Sequence, residues 1–182
     1  MIKEKLTKEY AEAKDAAKRA VVDGNYEMAL SYCEYAGRIA WDFPIIEEFS
    51  DDELESILLK ITSLLKHYTS SFQNRKRVVF YNGRIIDNGA LTQQYLYYLI
   101  ERGYEVLFIV PSKNNTIMGM KILKDIEKND SIIMYIPKKK SKLEKIIEIR
   151  KRINSFKASV AFLHFLPNDV IGFFSFADCE SL

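Results

Sequence analysis

Apolar positions along the chain follow two rhythms, and the change comes near Val78. From Ile2 to Val22 there is no Gly or Pro, while Ala and Lys, both strong helix formers, are plentiful. Asp23-Gly24-Asn25 breaks this first helix, because Gly24 can take the left-handed conformation that ends one. A second helix is predicted from about Tyr26 to Trp41, where Ala29, Tyr32 or Cys33, Ala36 and Ala40 recur at helical spacing. Phe43-Pro44 stops it, since a residue before Pro disfavours the helical conformation. Ser50, followed by Asp51, Asp52 and Glu53, reads as a new start. The hydroxyl caps a free N–H, Glu53 sits where a capping box needs it, and the carboxylates suit the positive helix end. Leu54, Ile57, Leu58, Ile61, Leu64 and Leu65 then form the apolar stripe of a third helix reaching to about Phe72. The polar run Gln73 to Arg77 reads as a junction.

Beyond it the apolar residues come in short continuous runs. Val78 to Tyr81, Tyr104 to Val110, Ser131 to Ile136 and Ala158 to Leu163 read as strands. Between them lie helical stretches from Gly89 to Arg102, Asn115 to Lys128 and Ser141 to Phe156. A fourth begins at Pro167, a residue suited to a first helical turn, and runs to Phe176. Strict strand–helix alternation implies right-handed crossovers and a parallel sheet, and strands apolar throughout imply helices on both faces. The fold class expected is α/β: a Rossmann-like parallel sheet of about four strands in the order 3-2-1-4, preceded by a small three-helix module. The domains expected are 1–73 and 74–182. A doubly wound sheet normally continues past four strands, so a chain stopping after Ala177-Asp178-Cys179-Glu180-Ser181-Leu182 is expected to be part of a larger protein.

Composition narrows the function classes. Of 182 residues 48% are apolar and 29% charged, the profile of a globular protein, and a net charge of +2 gives no global pull toward nucleic acid. Cys33 and Cys179 are distant and outside any ligand motif, which suggests packing thiols in a reducing compartment. No apolar run nears the roughly 18 residues of a membrane span, and the charged N-terminus lacks a signal-peptide core. The expected location is the cytoplasm.

Two stretches resemble known families. Gly24-Asn25-Tyr26-Glu27-Met28-Ala29-Leu30, with Tyr32 and Ala36, resembles the turn and second helix of a tetratricopeptide repeat (TPR), and no second copy follows. The three-helix module is thus TPR-like and is expected to pack as a cap on the α/β half. From about Arg77 the chain resembles the N-terminal domain of a GT-B glycosyltransferase of the group-1 type found in bacterial polysaccharide biosynthesis. The likeness rests on Asn82-Gly83, on Asp87-Asn88-Gly89-Ala90-Leu91 leading into a helix, on Arg102-Gly103-Tyr104-Glu105-Val106, and on Leu163-His164-Phe165-Leu166-Pro167-Asn168-Asp169-Val170. The paired glycines usual in the first loop are here Asn88-Gly89 or Gly89-Ala90. The resemblance implies the acceptor side of a hexosyltransferase-type enzyme moving sugar from a nucleotide-sugar donor to a glycan or lipid-linked acceptor. It further implies a C-terminal domain as partner, holding most donor contacts, without which this portion is inactive. It implies no resident cofactor and no metal.

Ligands of open parallel sheets sit at the carboxyl ends of the strands, where two loops fall. In the first, Asn82, Gly83, Asp87, Asn88 and Gly89 read as a substrate-binding loop whose glycines let backbone approach a diphosphate at a helix start, or as a tight turn. The second carries His164, the candidate catalytic residue, which either meets a sugar hydroxyl or bonds backbone. Asn168 and Asp169 follow as candidate substrate contacts, Asp169 doubling as a partner for the helix dipole. His67 has no ligand partner at metal spacing, and Tyr95, Tyr97 and Tyr98 read as packing residues. The run Lys138-Lys139-Lys140 with Lys142 and Lys145 reads as a solvated face or as a peripheral contact with the inner membrane surface. The contrasting function is a non-enzymatic interaction module built on the helical hairpin. A response-regulator-like domain fits worse, because strand one ends in Tyr81-Asn82-Gly83 without an acidic cluster.

Overall fold

The computed structural model describes residues 2–47, 50–65, 74–83, 90–112, 124 and 126–177. Helices α1 (Ile2–Val22) and α2 (Tyr26–Asp42) flank a tight turn in which Gly24 takes a φ of 71°. Small buried residues, Ala13, Ala17 and Ala20 on α1 and Ala29 and Ala36 on α2, let the two helices close on each other. A 3-10 turn (Pro44–Ile46) leads toward α3 (Asp52–Thr62). The residue that caps α3 is Asp51 rather than Ser50: its carboxylate accepts the N–H groups of Glu53 and Leu54 at 3.0 Å. Both types cap well, and long-range partners decide between them. Asp51 also accepts the Tyr10 hydroxyl at 2.8 Å and Lys14 Nζ at 2.9 Å, which ties α3 to α1. Burial pushes the Asp51 carboxyl up, but the Leu54 N–H, Lys14 and Tyr10 together hold it below its ordinary value. The described part of α3 ends at Thr62, short of the expected Phe72.

The sheet is parallel and four-stranded, in the expected order β3-β2-β1-β4. Its strands are β1 (Asn74–Asn82), β2 (Glu105–Ile109), β3 (Ile132–Tyr135) and β4 (Ala158–His164). β1 begins earlier than its apolar run, so Asn74 to Arg77 is strand and not linker. Arg77 pairs in register with Glu105 and makes an ion pair with it at 2.7 Å, and Lys76 Nζ donates to Arg102 O at 2.7 Å. Helix α4 (Ala90–Glu101) covers one face, where Val78, Phe80, Val106 and Phe108 meet Leu96 and Leu99. The element expected over Asn115 to Lys128 lies mostly outside the described residues. Helix α5 (Lys142–Phe156), capped by Ser141, covers the other face, where Val79, Tyr81, Leu107 and Ile109 meet Ile149 and Ile153. Helix α6 (Val170–Phe176) starts three residues later than its Pro167 suggested, because Asp169 is its cap.

The helical module does not stand apart. Ile146 of α5 and Val170 and Phe174 of α6 belong to the core formed by α1, α2 and α3. Glu27 of α2 reaches across and accepts the first free N–H groups of α5, Lys142 at 2.8 Å and Leu143 at 2.9 Å. Lys142 Nζ returns the contact, to Ser31 Oγ at 3.0 Å and Glu34 Oε2 at 3.2 Å. Cys33 lies in this core, and burial pushes its thiol up to about 12, in keeping with a packing role. No described helix is long and apolar enough to cross a membrane.

Candidate functional site

The chain builds its sheet outward from β1 in one direction through β2 and β3, then crosses back to lay β4 on the other side of β1. The ends of β1 and β4 therefore lie side by side at the switch point where open parallel sheets bind ligands. Asn82 and His164 are register partners there, and the Gly83 N–H donates to His164 O at 2.9 Å. Three sequence candidates thus meet at one edge: Asn82 and Gly83 from β1, His164 from β4.

Their environments differ. Asn82 is buried, and its Nδ2 donates to Thr92 Oγ1 at 3.3 Å, fastening the end of β1 to the first turn of α4. The His164 side chain is exposed, so its imidazole is open to a ligand arriving from solvent. Asp169 sits behind this edge. Its Oδ1 accepts the Gly172 N–H at 2.9 Å as the cap of α6, and its Oδ2 accepts the Tyr81 hydroxyl at 2.9 Å. Burial raises the Asp169 carboxyl above its ordinary value, against the pull of the Gly172 N–H and the Tyr81 hydroxyl. The Tyr81 hydroxyl is in turn pushed well up, first by burial and then by the adjacent carboxylate.

Gly83 is required here by space. A Cβ at that position would collide with Asp169 Oδ2 and come within 3.2 Å of Tyr81 Cε1. A Cβ on Gly172 would lie 2.8 Å from the same ring carbon. Asp169 is accordingly a scaffold for this edge: it locks the start of α6 onto the end of β1. Asn168 points elsewhere, its Cβ lying against Gly37 of α2, where a Cβ would approach to 3.2 Å. Its Oδ1 is buried without a hydrogen-bond partner among the described residues. Asp87, Asn88 and Gly89 lie outside the described residues, as do His67 and Cys179.

Sequence reasoning missed Tyr81 and Thr92, which hold Asp169 and Asn82. It missed Glu148 too, which gathers the Tyr135 hydroxyl at 2.8 Å and the Lys138 and Lys139 N–H groups at the end of β3. Tyr95, Tyr97 and Tyr98 are exposed and not packed away, although the Tyr95 ring lies 5.6 Å from that of Phe162. Lys138, Lys139 and Lys140 are exposed, and Lys139 pairs with Glu144 at 3.4 Å. Among the described residues no group of His, Cys, Asp and Glu is arranged to hold a metal ion. Compared with known proteins, the chain matches no family model, no curated protein and no solved structure.

Proposed function

We propose that this chain is the acceptor-side half of a sugar-transferring enzyme of the GT-B type, with the β1/β4 edge of the sheet as its saccharide-facing side. The observation that carries the reading is the meeting of Asn82, Gly83 and His164 at the carboxyl edge of the sheet, where its strand order reverses. The exposed imidazole offers a hydrogen bond to a sugar hydroxyl, and its ring nitrogens suit proton transfer from an attacking hydroxyl. The resemblance of Arg102 to Val106 supports the same reading. That stretch ends α4 on Gly103, at a φ of 71°, and delivers the chain into β2. Donor binding falls to a second domain, and the glycan or lipid-linked acceptor to this one. The work is cytoplasmic, at or near the inner membrane face.

Calorimetry with neutral trisaccharides (maltotriose, cellotriose, chitotriose) and with uridine diphosphate tests this division of labour. At least one trisaccharide is expected to bind, His164→Ala to weaken it by about tenfold, the size of one lost hydrogen bond, and the nucleotide to give no heat. Binding of the nucleotide alone, or saccharide binding indifferent to His164, contradicts the reading.

A further inference from the structure

The two outer strands of the sheet are built differently. β3 is four residues long and runs into Pro137 and the exposed Lys138, Lys139 and Lys140. A short strand, a proline and lysines are devices that keep an edge from pairing with another chain. β4 has none of them. From Ala158 to Leu163 it holds no charge and no proline, and among the described residues it pairs with β1 alone. His164 O accepts the Gly83 N–H, so the backbone groups of His164 point to β1. Strand alternation then turns those of Val160 and Phe162 to β1 and those of Ser159, Ala161 and Leu163 outward. Val160 is 46% exposed and Leu163 45%, and Phe162 is only partly buried.

We infer that β4 pairs antiparallel with β4 of a second copy of this chain, joining the two sheets across a two-fold axis at Ala161. The strand is self-complementary in that register. Ala161 opposes Ala161 of the second copy, and Ser159 opposes Leu163. These are the residues whose N–H and C=O groups point outward, so each opposed pair exchanges ladder hydrogen bonds. Val160 then opposes Phe162 at a position without ladder bonds, where facing side chains come closest. A β-branched residue facing an aromatic one is a favourable cross-strand pair. The Tyr95 ring lies 5.6 Å from that of Phe162 and lengthens the apolar strip. No like charges oppose each other along the strand. A two-fold contact needs one patch that fits itself, and β4 is such a patch. The inference does not depend on the sugar-transfer reading.

Sedimentation equilibrium of the whole protein tests the pairing. One strand pair makes a small interface, so a monomer–dimer equilibrium is expected at about 10–500 μM. Val160→Lys, at a side chain already half in solvent, sets a lysine against Phe162 of the second copy. It is expected to weaken association about tenfold or more while leaving the thermal transition of the dilute protein in place. Amide hydrogen exchange reads the register without any variant. In dilute protein the amides of Val160 and Phe162 are expected to be protected by β1 and those of Ala161 and Leu163 to exchange fast. Concentrated protein is expected to protect Ala161 and Leu163 as well. A protein that stays monomeric at about 1 mM overturns the inference and leaves this edge to a strand of a different sequence. So does a dimer that leaves the Ala161 and Leu163 amides unprotected, or one that forms equally well with Val160→Lys.

Discussion

Asp169 holds two partners with two oxygens, and the pair belong to different levels of the fold. The bond from Gly172 lies three residues away and has the form of a local cap, although the helix was expected to start earlier, at Pro167. The bond from Tyr81 spans 88 residues, and no local pattern announces it. The same distinction explains why Asn82 and Gly83 stand out as loop residues while Thr92 does not. A raised carboxyl pKa means that the native state holds the proton more tightly than the unfolded chain does. Its stabilising contribution is therefore full below the ordinary carboxyl range and is lost as pH rises through the pKa of Asp169 itself. Asp169→Asn keeps the cap but cannot ionise. The wild type is expected to lose melting temperature relative to this variant as pH rises from about 3 to about 7. A constant difference would contradict the burial of the carboxyl. Gly83→Ala forces a methyl group onto Asp169 Oδ2 and is expected to cost about 1–3 kcal/mol in urea unfolding. An unchanged midpoint would mean that Gly83 is not packed against Asp169 as described.

Elements were legible where periodicity was strong and less so where their ends depend on distant partners. The parallel sheet follows from alternation and crossover handedness, and the order β3-β2-β1-β4 from the Rossmann-like layout. The start of β1 does not, because Asn74 to Arg77 has the composition of a linker and becomes strand through Glu105 and Arg102, nearly thirty residues on. The α3 start slipped by one residue for a similar reason, the Tyr10 and Lys14 contacts of Asp51 being invisible locally. Glu27 shows how an element end can be made from another element: the first turn of α2 caps α5. Glu27→Ala is expected to destabilise by about 1–2 kcal/mol, as the loss of a helix cap does, measured by urea unfolding. Leu54→Ala, in the α3 stripe and buried in the shared core, is expected to cost about 2–5 kcal/mol. A midpoint that stays in place would mean that α3 is not packed on that core.

At the scale of the molecule, the helical module expected before residue 73 shares its core with α5 and α6 of the following half, through Ile146, Val170 and Phe174. The apolar face of α2 is spent on α5 and α6, which is why a hairpin resembling a single repeat needs no further repeats to bury it. Urea transitions followed by Trp41 fluorescence and by far-ultraviolet circular dichroism are accordingly expected to coincide, and separate transitions would restore two independent units. The place of the candidate site was legible because a switch in strand order fixes it. The central claim concerns the β1/β4 edge, and amide NMR tests it most directly. Titrating the labelled protein with a trisaccharide that binds in calorimetry is expected to move the Asn82, Gly83 and His164 resonances first and together. Saturable shifts confined to other residues, with these three in place, would contradict the account.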